Sequence, residues 1–294
     1  VDAAHQKAVS QFASKHQIPM VSPLSASDSL TVKNAYYFQV AATKKYTVRK
    51  TAEYIGTSFY KDNVVMVKLG GTLDSDEVQA VATVHEKLKS TATQKGSGSV
   101  SFHEIEFGGS ASNIRKALKK DQLNVVHIQA PANRNSREVA LTKAINALQV
   151  LGGEYKIVLV GYSDYLRSKS INTEYFHRLS FTYLTSSHVD YSDLKVNKFI
   201  RSYRNEFVAE PNQFSFRGYD VAMHFTQAYL NYGKSYYRAL DEFSTSLLQV
   251  DFNFKRTSDN GGYMNQGLQV VRLSPDFKVE VVAKYNNGKF IKLK

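Results

Sequence analysis

The residues best placed to do chemistry follow short apolar runs, and the first question is whether any of them is a catalyst. In Gly161-Tyr162-Ser163-Asp164-Tyr165, Ser163 stands where a nucleophilic serine would sit on a strand-to-helix turn. Tyr165 occupies the position at which that elbow needs its last Gly, so the motif fails. His103-Glu104-Ile105-Glu106 gathers possible metal ligands. Alternation along a strand sends His103 to one face and both glutamates to the other, so they cannot meet at one ion. None of the eight histidines has metal-ligand spacing, and the chain has no cysteine. Disulfides, thiolate metal sites and cysteine nucleophiles are therefore excluded. The Gly/Ser turn over 95–99 does not lead into the Lys that a phosphate loop requires. These patterns predict a protein that is not an enzyme and calls for no cofactor and no metal.

What remains is recognition. Four polar loops carry hydroxyls, amides and charges suited to a small polar solute. They are Ser22, Ser25 and Ser27; Gly71 and Thr72; Asn133 and Arg134; and Tyr162, Ser163 and Asp164. Each residue also has a plainer role. Ser25 and Ser27 serve equally as turn and helix-capping residues. Asp164 can hold a ligand ammonium or cap the next helix. Arg134 can clamp an anion through its fork or remain a surface cation. Tyr219 is expected to pack beneath the floor of the site, and Asp220 to support the start of its helix.

These loops must be held by regular elements, and the apolar pattern supplies them. Residues 3–16 read as a helix with Ala4, Ala8, Phe12 and Ala13 on one face. Short strands over 18–21 and 36–41 follow, then a helix from Thr43 to about residue 59. Strands over 64–69, 100–107, 125–129 and 156–161 are near-continuous Val/Ile/Leu runs, as in parallel strands buried on both faces. Helical stretches over 75–90, 110–120 and 135–151 separate them. This rhythm implies βαβ units and a doubly wound sheet. After a strand over 181–185, long helices are predicted over 192–207 and 214–232. Runs over 251–254, 269–273 and 279–283 read as antiparallel strands with one wet face. Asn260-Gly261-Gly262 and Asn286-Asn287-Gly288 mark turns.

At 294 residues the chain suits two α/β lobes. Lys and Arg total 38 against 26 acids, a formal charge of +12. That excess favours acidic partners, yet it is scattered, and no nucleic-acid-binding motif accompanies it. No stretch approaches the roughly 18 apolar residues of a membrane span.

Three segments together resemble the type I periplasmic-binding-protein family. Ile18-Pro19-Met20-Val21-Ser22-Pro23-Leu24-Ser25-Ala26-Ser27 is similar to its first-lobe strand and ligand loop. Tyr37-Phe38-Gln39 before a helix is similar to its first crossover. Phe199, Tyr203, Glu210-Pro211 and Phe216-Arg217-Gly218-Tyr219-Asp220-Val221-Ala222 resemble its late helix pair. Phe252-Asn253-Phe254 and Gly261-Gly262-Tyr263-Met264-Asn265 resemble a subgroup of Bacteroidetes envelope proteins that often carry lysin-motif repeats. The resemblance implies an α/β fold of two Rossmann-like lobes joined by a hinge. A first-lobe remnant is expected over 1–42 and 188–265, and a complete second lobe over 43–187 and 266–294. The family's upstream βα units have no counterpart here, so the first lobe is expected to expose a sheet edge covered by a second copy as a homodimer, by a lattice contact or by a rearranged segment.

Two functions follow. The first is a wall-associated interaction module of the periplasm or cell envelope, meeting a cell-wall component and lacking catalysis. The alternative is a transporter's solute-binding protein that closes on a small polar ligand such as an amino acid or short peptide. A transcription regulator's sensor domain shares the fold but would need a DNA-binding head, and none is visible in the sequence.

Overall fold

The computed structural model describes residues 3–32 and 34–293. In chain order the elements begin α1 (Ala3–Lys15), β1 (Met20–Ser22), α2 (Asp28–Thr31), β2 (Tyr37–Gln39) and α3 (Lys44–Ser58). Next come β3 (Asn63–Lys68), α4 (Ser75–Gln94), β4 (Ser101–Glu106), α5 (Ala111–Arg115), β5 (Asn124–Gln129), α6 (Arg134–Leu151) and β6 (Ile157–Tyr162). A 3-10 turn at Ser163–Arg167 leads to α7 (Thr173–Arg178) and β7 (Thr182–Thr185), then α8 (Leu194–Phe207) and α9 (Gln213–Tyr232). The chain ends with β8 (Ser244–Ser246), β9 (Asp251–Arg256), β10 (Tyr263–Asn265), β11 (Leu268–Leu273), β12 (Val279–Asn286) and β13 (Lys289–Lys292). Two compact units result. One comprises Val1–Lys44, Thr185–Val270 and Val281–Lys294, the other Lys45–Leu184 and Val271–Glu280. With two sheets of mostly parallel strands, this is the two-lobed α/β fold expected.

The first unit is built on a sheet of order β1-β2-β10-β9-β8. β1, β2 and β10 are parallel, while β9 runs antiparallel to β10 and β8. Registry places Tyr263 beside Phe38, and their rings stack at 4.8 Å. Phe252, Phe254, Val250 and Leu240 complete a core with them. A side chain at Gly262 would come within 2.4 Å of the Tyr37 carbonyl, so this close approach requires glycine. The expected wet face on 251–254 is absent: all four residues are buried, because β9 is paired on both sides and covered by α9 aromatics. The apolar face expected on α1 also differs. Ala13 and Ser10 are buried, while Ala4, Ala8 and Phe12 are exposed. Ser10 turns inward because Asn34 donates to its hydroxyl and its carbonyl.

The second unit holds the parallel strands β3 to β7, in the order β7-β6-β5-β3-β4, and the sheet continues beyond β7 through β11, β12 and β13. β3 and β5 are buried along almost their whole length, as the apolar runs require. α3 and α4 cover one face: a side chain on Gly56 would meet Lys87 and Leu88. His85 of α4 stacks on Phe102 of that same face at 4.6 Å. α5 and α6 pack together on the other. Residues 266–270 and 281–294, expected in the second lobe, group with the first unit. Lys284 pairs with Asp251 at 3.1 Å, and Asn253 donates to Asn287, so β9 holds the latter there.

Candidate functional site

The chain order of the second sheet reverses at β3. From β3 the connection runs outward to β4, then returns past β3 to β5 and continues to β6. Right-handed crossovers then place α4 and α6 on opposite faces, so the chain leaves β3 and β5 toward opposite sides of the sheet. The carboxyl ends of the strands at such a switch point are the usual place for a ligand in these sheets.

Gly70 and Gly71 turn the chain out of β3 with φ of 85° and 75°, the left-handed region that a side chain resists. A Cβ on Gly71 would also press Pro131 at 3.4 Å. The two loops are tied: Leu69 N–H donates to Gln129 O at 3.1 Å, and Ala132 N–H to Thr72 O at 2.9 Å. Asn133 caps α6, its Oδ1 accepting from Asn135 N at 3.0 Å and Ser136 N at 3.2 Å. Arg134 begins the helix and is exposed. Ser163 and Asp164 lie exposed in the 3-10 turn after β6. Asp164 does not cap that turn. It pairs with Arg137 at 3.2 Å. Arg137 further donates to Pro131 O at 2.9 Å and to Ala132 O at 3.2 Å. One guanidinium thus fixes the loop after β5 to the loop after β6. Sequence analysis did not single out Arg137. Its position one turn after the capping Asn133 was the available signal.

Beneath these loops lies a buried polar cluster that the sequence reading missed. Tyr162, the last residue of β6, donates its hydroxyl to Glu77 Oε2 at 3.1 Å. His127 of β5 lies edge-on to the Tyr162 ring. Its Nδ1 faces Val160 O at 2.9 Å, and a carbonyl can only accept, so Nδ1 carries the proton. Its Nε2 lies 3.4 Å from the Tyr162 hydroxyl and 3.9 Å from Glu77 Oε2. Gln129 donates to the Glu77 carbonyl at 2.8 Å. Burial first, then the charge of Glu77, push the Tyr162 phenol well above its ordinary value, so it remains a donor. Tyr165 is raised likewise by burial and donates to Ile128 O at 2.9 Å. A His inside the apolar run Val125-Val126-His127-Ile128 was the trace of this cluster in the sequence.

The remaining predicted residues belong to the first unit. Ser22 is buried at the end of β1, its carbonyl accepting from Val40 N at 3.0 Å. Ser27 precedes α2 without capping it, and its hydroxyl meets that of Ser29 at 2.8 Å. Ser25 is half-buried between them. Arg217 of α9 reaches this loop, donating to Pro23 O at 3.1 Å and to Gln249 Oε1 at 3.3 Å. Tyr219 forms no floor. It is 39% exposed and packs on Phe199 at 4.9 Å. Asp220 does not support the helix start either. Its carboxylate lies buried within α9 and accepts from the backbone N–H groups of Leu248, Gln249 and Val250 at 3.0, 2.7 and 2.9 Å. Burial raises its pKa, and those three donors oppose the rise.

Among the described residues no group of His, Cys, Asp and Glu is placed to hold a metal ion, and no helix is long and apolar enough to cross a membrane. No protein-family model matches the chain, and no curated protein does. Solved structures do. An ABC transporter substrate-binding protein from Desulfitobacterium hafniense matches with a TM-score of 0.55 and 12% identity, covering 95% of this chain and 77% of its own. A leucine-binding protein from Thermotoga maritima matches at 0.52 and 16% identity, covering 97% and 78%. A Desulfitobacterium hafniense ABC transporter substrate-binding protein in complex with Leu matches at 0.50 and 14%, covering 98% and 76%. The chain therefore has the type I periplasmic-binding-protein fold.

Proposed function

We propose that this chain is a non-catalytic, extracytoplasmic solute-binding protein that takes a small polar ligand such as an amino acid or short peptide. The observation that carries the reading is the group of polar loops at the β3/β5 switch point. Exposed Thr72, Asn133, Arg134, Ser163 and Asp164 stand in these loops, and Tyr162, Glu77 and Arg137 hold them in place. Arg134 supplies a fork for a carboxylate, Asp164 a partner for an ammonium, and the hydroxyls and amide supply neutral hydrogen bonds. In the first unit, Ser22, Ser25 and Ser27, with Arg217 behind them, offer a second polar loop on the same fold. The structural matches support solute binding over the envelope module: two of them are named for leucine.

A thermal-shift screen against amino acids, short peptides, sugars and muropeptides tests this. A ligand at 100 times its Kd adds about 2.7 kcal/mol, a rise of roughly 4–5 °C for a chain of this size. Arg134→Ala and Thr72→Ala should reduce that rise for a carboxylate ligand. No rise with any solute, together with retention on insoluble peptidoglycan, favours a second reading: a wall-associated module of the kind seen in Bacteroidetes envelopes. The net charge of +12 supports that reading, because wall polymers are anionic. Pairing of two copies through the open edge of β1 belongs to it as well.

A further inference from the structure

A second polar cleft lies at the opposite ends of the same parallel strands. Ser101, Asn63 and Asn124 are the first residues of β4, β3 and β5, and they stand side by side in register. Their side chains form one network. Ser101 donates its hydroxyl to Asn63 Oδ1 at 2.6 Å, and Asn63 Nδ2 donates to Asn124 Oδ1 and to Ala117 O, each at 2.8 Å. Asn124 Nδ2 donates in turn to the carbonyls of Lys119, Gln122 and Lys156. Both asparagines are fully buried. The single Ser101 proton is committed to Asn63, so its oxygen is left as an acceptor, and Lys119 Nζ donates to it at 2.8 Å.

The network thereby fixes the head of an exposed lysine without neutralising it. Lys119 has no carboxylate partner among the described residues, and neither has Lys61, whose ammonium lies 5.6 Å from the Tyr60 ring. The two lysines line a cleft of about 380 Å³ with Ser99, Ser101, His103 and Gln122. No acidic side chain lines it. Asp62 and Asp121, the sequence neighbours of Lys61 and Gln122, are not part of its wall. Surface lysines ordinarily pair with acids or wave freely in water. Here one is anchored by a buried network, and a second joins it with an imidazole, a hydroxyl and an amide.

We infer that this cleft binds a phosphoryl oxyanion, through the Lys61 and Lys119 ammonium groups with Ser99, His103 and Gln122 completing the shell. Two positive charges, that of Lys119 fixed, with several donors suit a dianion better than a single carboxylate, and a bound dianion also relieves the repulsion between the lysines. Free phosphate and a phosphate ester of a small alcohol share this chemistry. The inference is independent of the proposed solute site.

Calorimetric titration of the whole chain with inorganic phosphate, glycerol phosphate and acetate, at low ionic strength, tests it. Phosphate should bind about tenfold or more tightly than acetate. The Lys61→Met, Lys119→Met double variant should lose about tenfold or more in phosphate affinity while keeping its melting temperature within about 2 °C. Ser101→Ala, which retains both lysines but frees Lys119, should lose several-fold. Tighter binding of glycerol phosphate than of phosphate identifies an ester as the ligand class, and the reverse identifies the free ion. Absent phosphate binding, or undiminished binding by the double variant, overturns the inference. The double variant should keep any thermal shift with an amino acid or peptide, so failure here leaves the solute-binding reading standing and failure there leaves this one.

Discussion

His224 should make this protein acid-sensitive by a calculable amount. It lies fully buried on α9, its Nδ1 2.8 Å from Thr245 Oγ1 and its Nε2 without a partner. Its ring stacks on Phe252 at 4.3 Å and touches Phe225, Phe243 and Phe254. Burial in that aromatic cage pushes the pKa from 6.5 down to about 3. Between those values the unfolded chain binds a proton that the folded chain refuses. Stability therefore rises with pH across this window and is lost as pH falls below 6.5. At 1.36 kcal/mol per pH unit, the loss between pH 7 and pH 4 is about 3 kcal/mol. Urea unfolding at several pH values, for the native chain and for His224→Phe, isolates this contribution. The substitution itself shifts the whole curve, but only the native chain carries the histidine slope, and the carboxylates contribute equally to both. The two curves should diverge by about 3 kcal/mol at pH 4. Curves that stay parallel within about 1 kcal/mol would refute the reasoning, because the histidine would then ionise freely in the folded state.

Asp220→Ala should cost about 3–5 kcal/mol in chemical denaturation, since three buried backbone donors lose their acceptor; Asp220→Asn, which keeps one oxygen, should cost about half as much. Gly161→Ala places a methyl 2.4 Å from the Tyr165 ring, which its hydrogen bond to Ile128 O holds in place. A loss of about 2–3 kcal/mol, read as a lowered melting temperature, is expected. Tyr162→Phe leaves the ring on His127 but removes the donor to Glu77, so urea unfolding should show a loss of about 1–2 kcal/mol.

Much of the second unit was legible because its strands are insulated. β3, β5 and β6 are buried on both faces, and burial of that kind demands continuous apolar runs that few other structures produce. The hairpin between β12 and β13 was legible for a local reason: Asn287 and Gly288 take φ of 49° and 69°, which their types permit. The short strands β8 and β10 left no comparable trace. Three residues cannot show a period, and Tyr263 is a strand residue because Phe38 stacks on it from a strand far away in sequence. The candidate site divided the same way. The loops could be found by counting from the ends of apolar runs. Their fastenings could not: the Glu77 contact with Tyr162 spans 85 residues, and Arg137 meets Asp164 across 27. Asp220 was misjudged for the same reason, since its partners lie 28 to 30 residues downstream.

The chain passes between the two units at 44/45, 184/185, 270/271 and 280/281. Such threading constrains how the molecule is made. During synthesis the stretch 45–184 emerges as one piece, but Leu273, which donates to Phe181 O at 2.9 Å, arrives much later. The first unit waits longer still for Lys284 to reach Asp251. Neither unit can finish until residues beyond 270 have been made, so a truncation after residue 270 damages both at once. An expression strategy that cuts at the apparent boundary near residue 184 would yield two fragments, each missing a strand that only the other half of the message encodes.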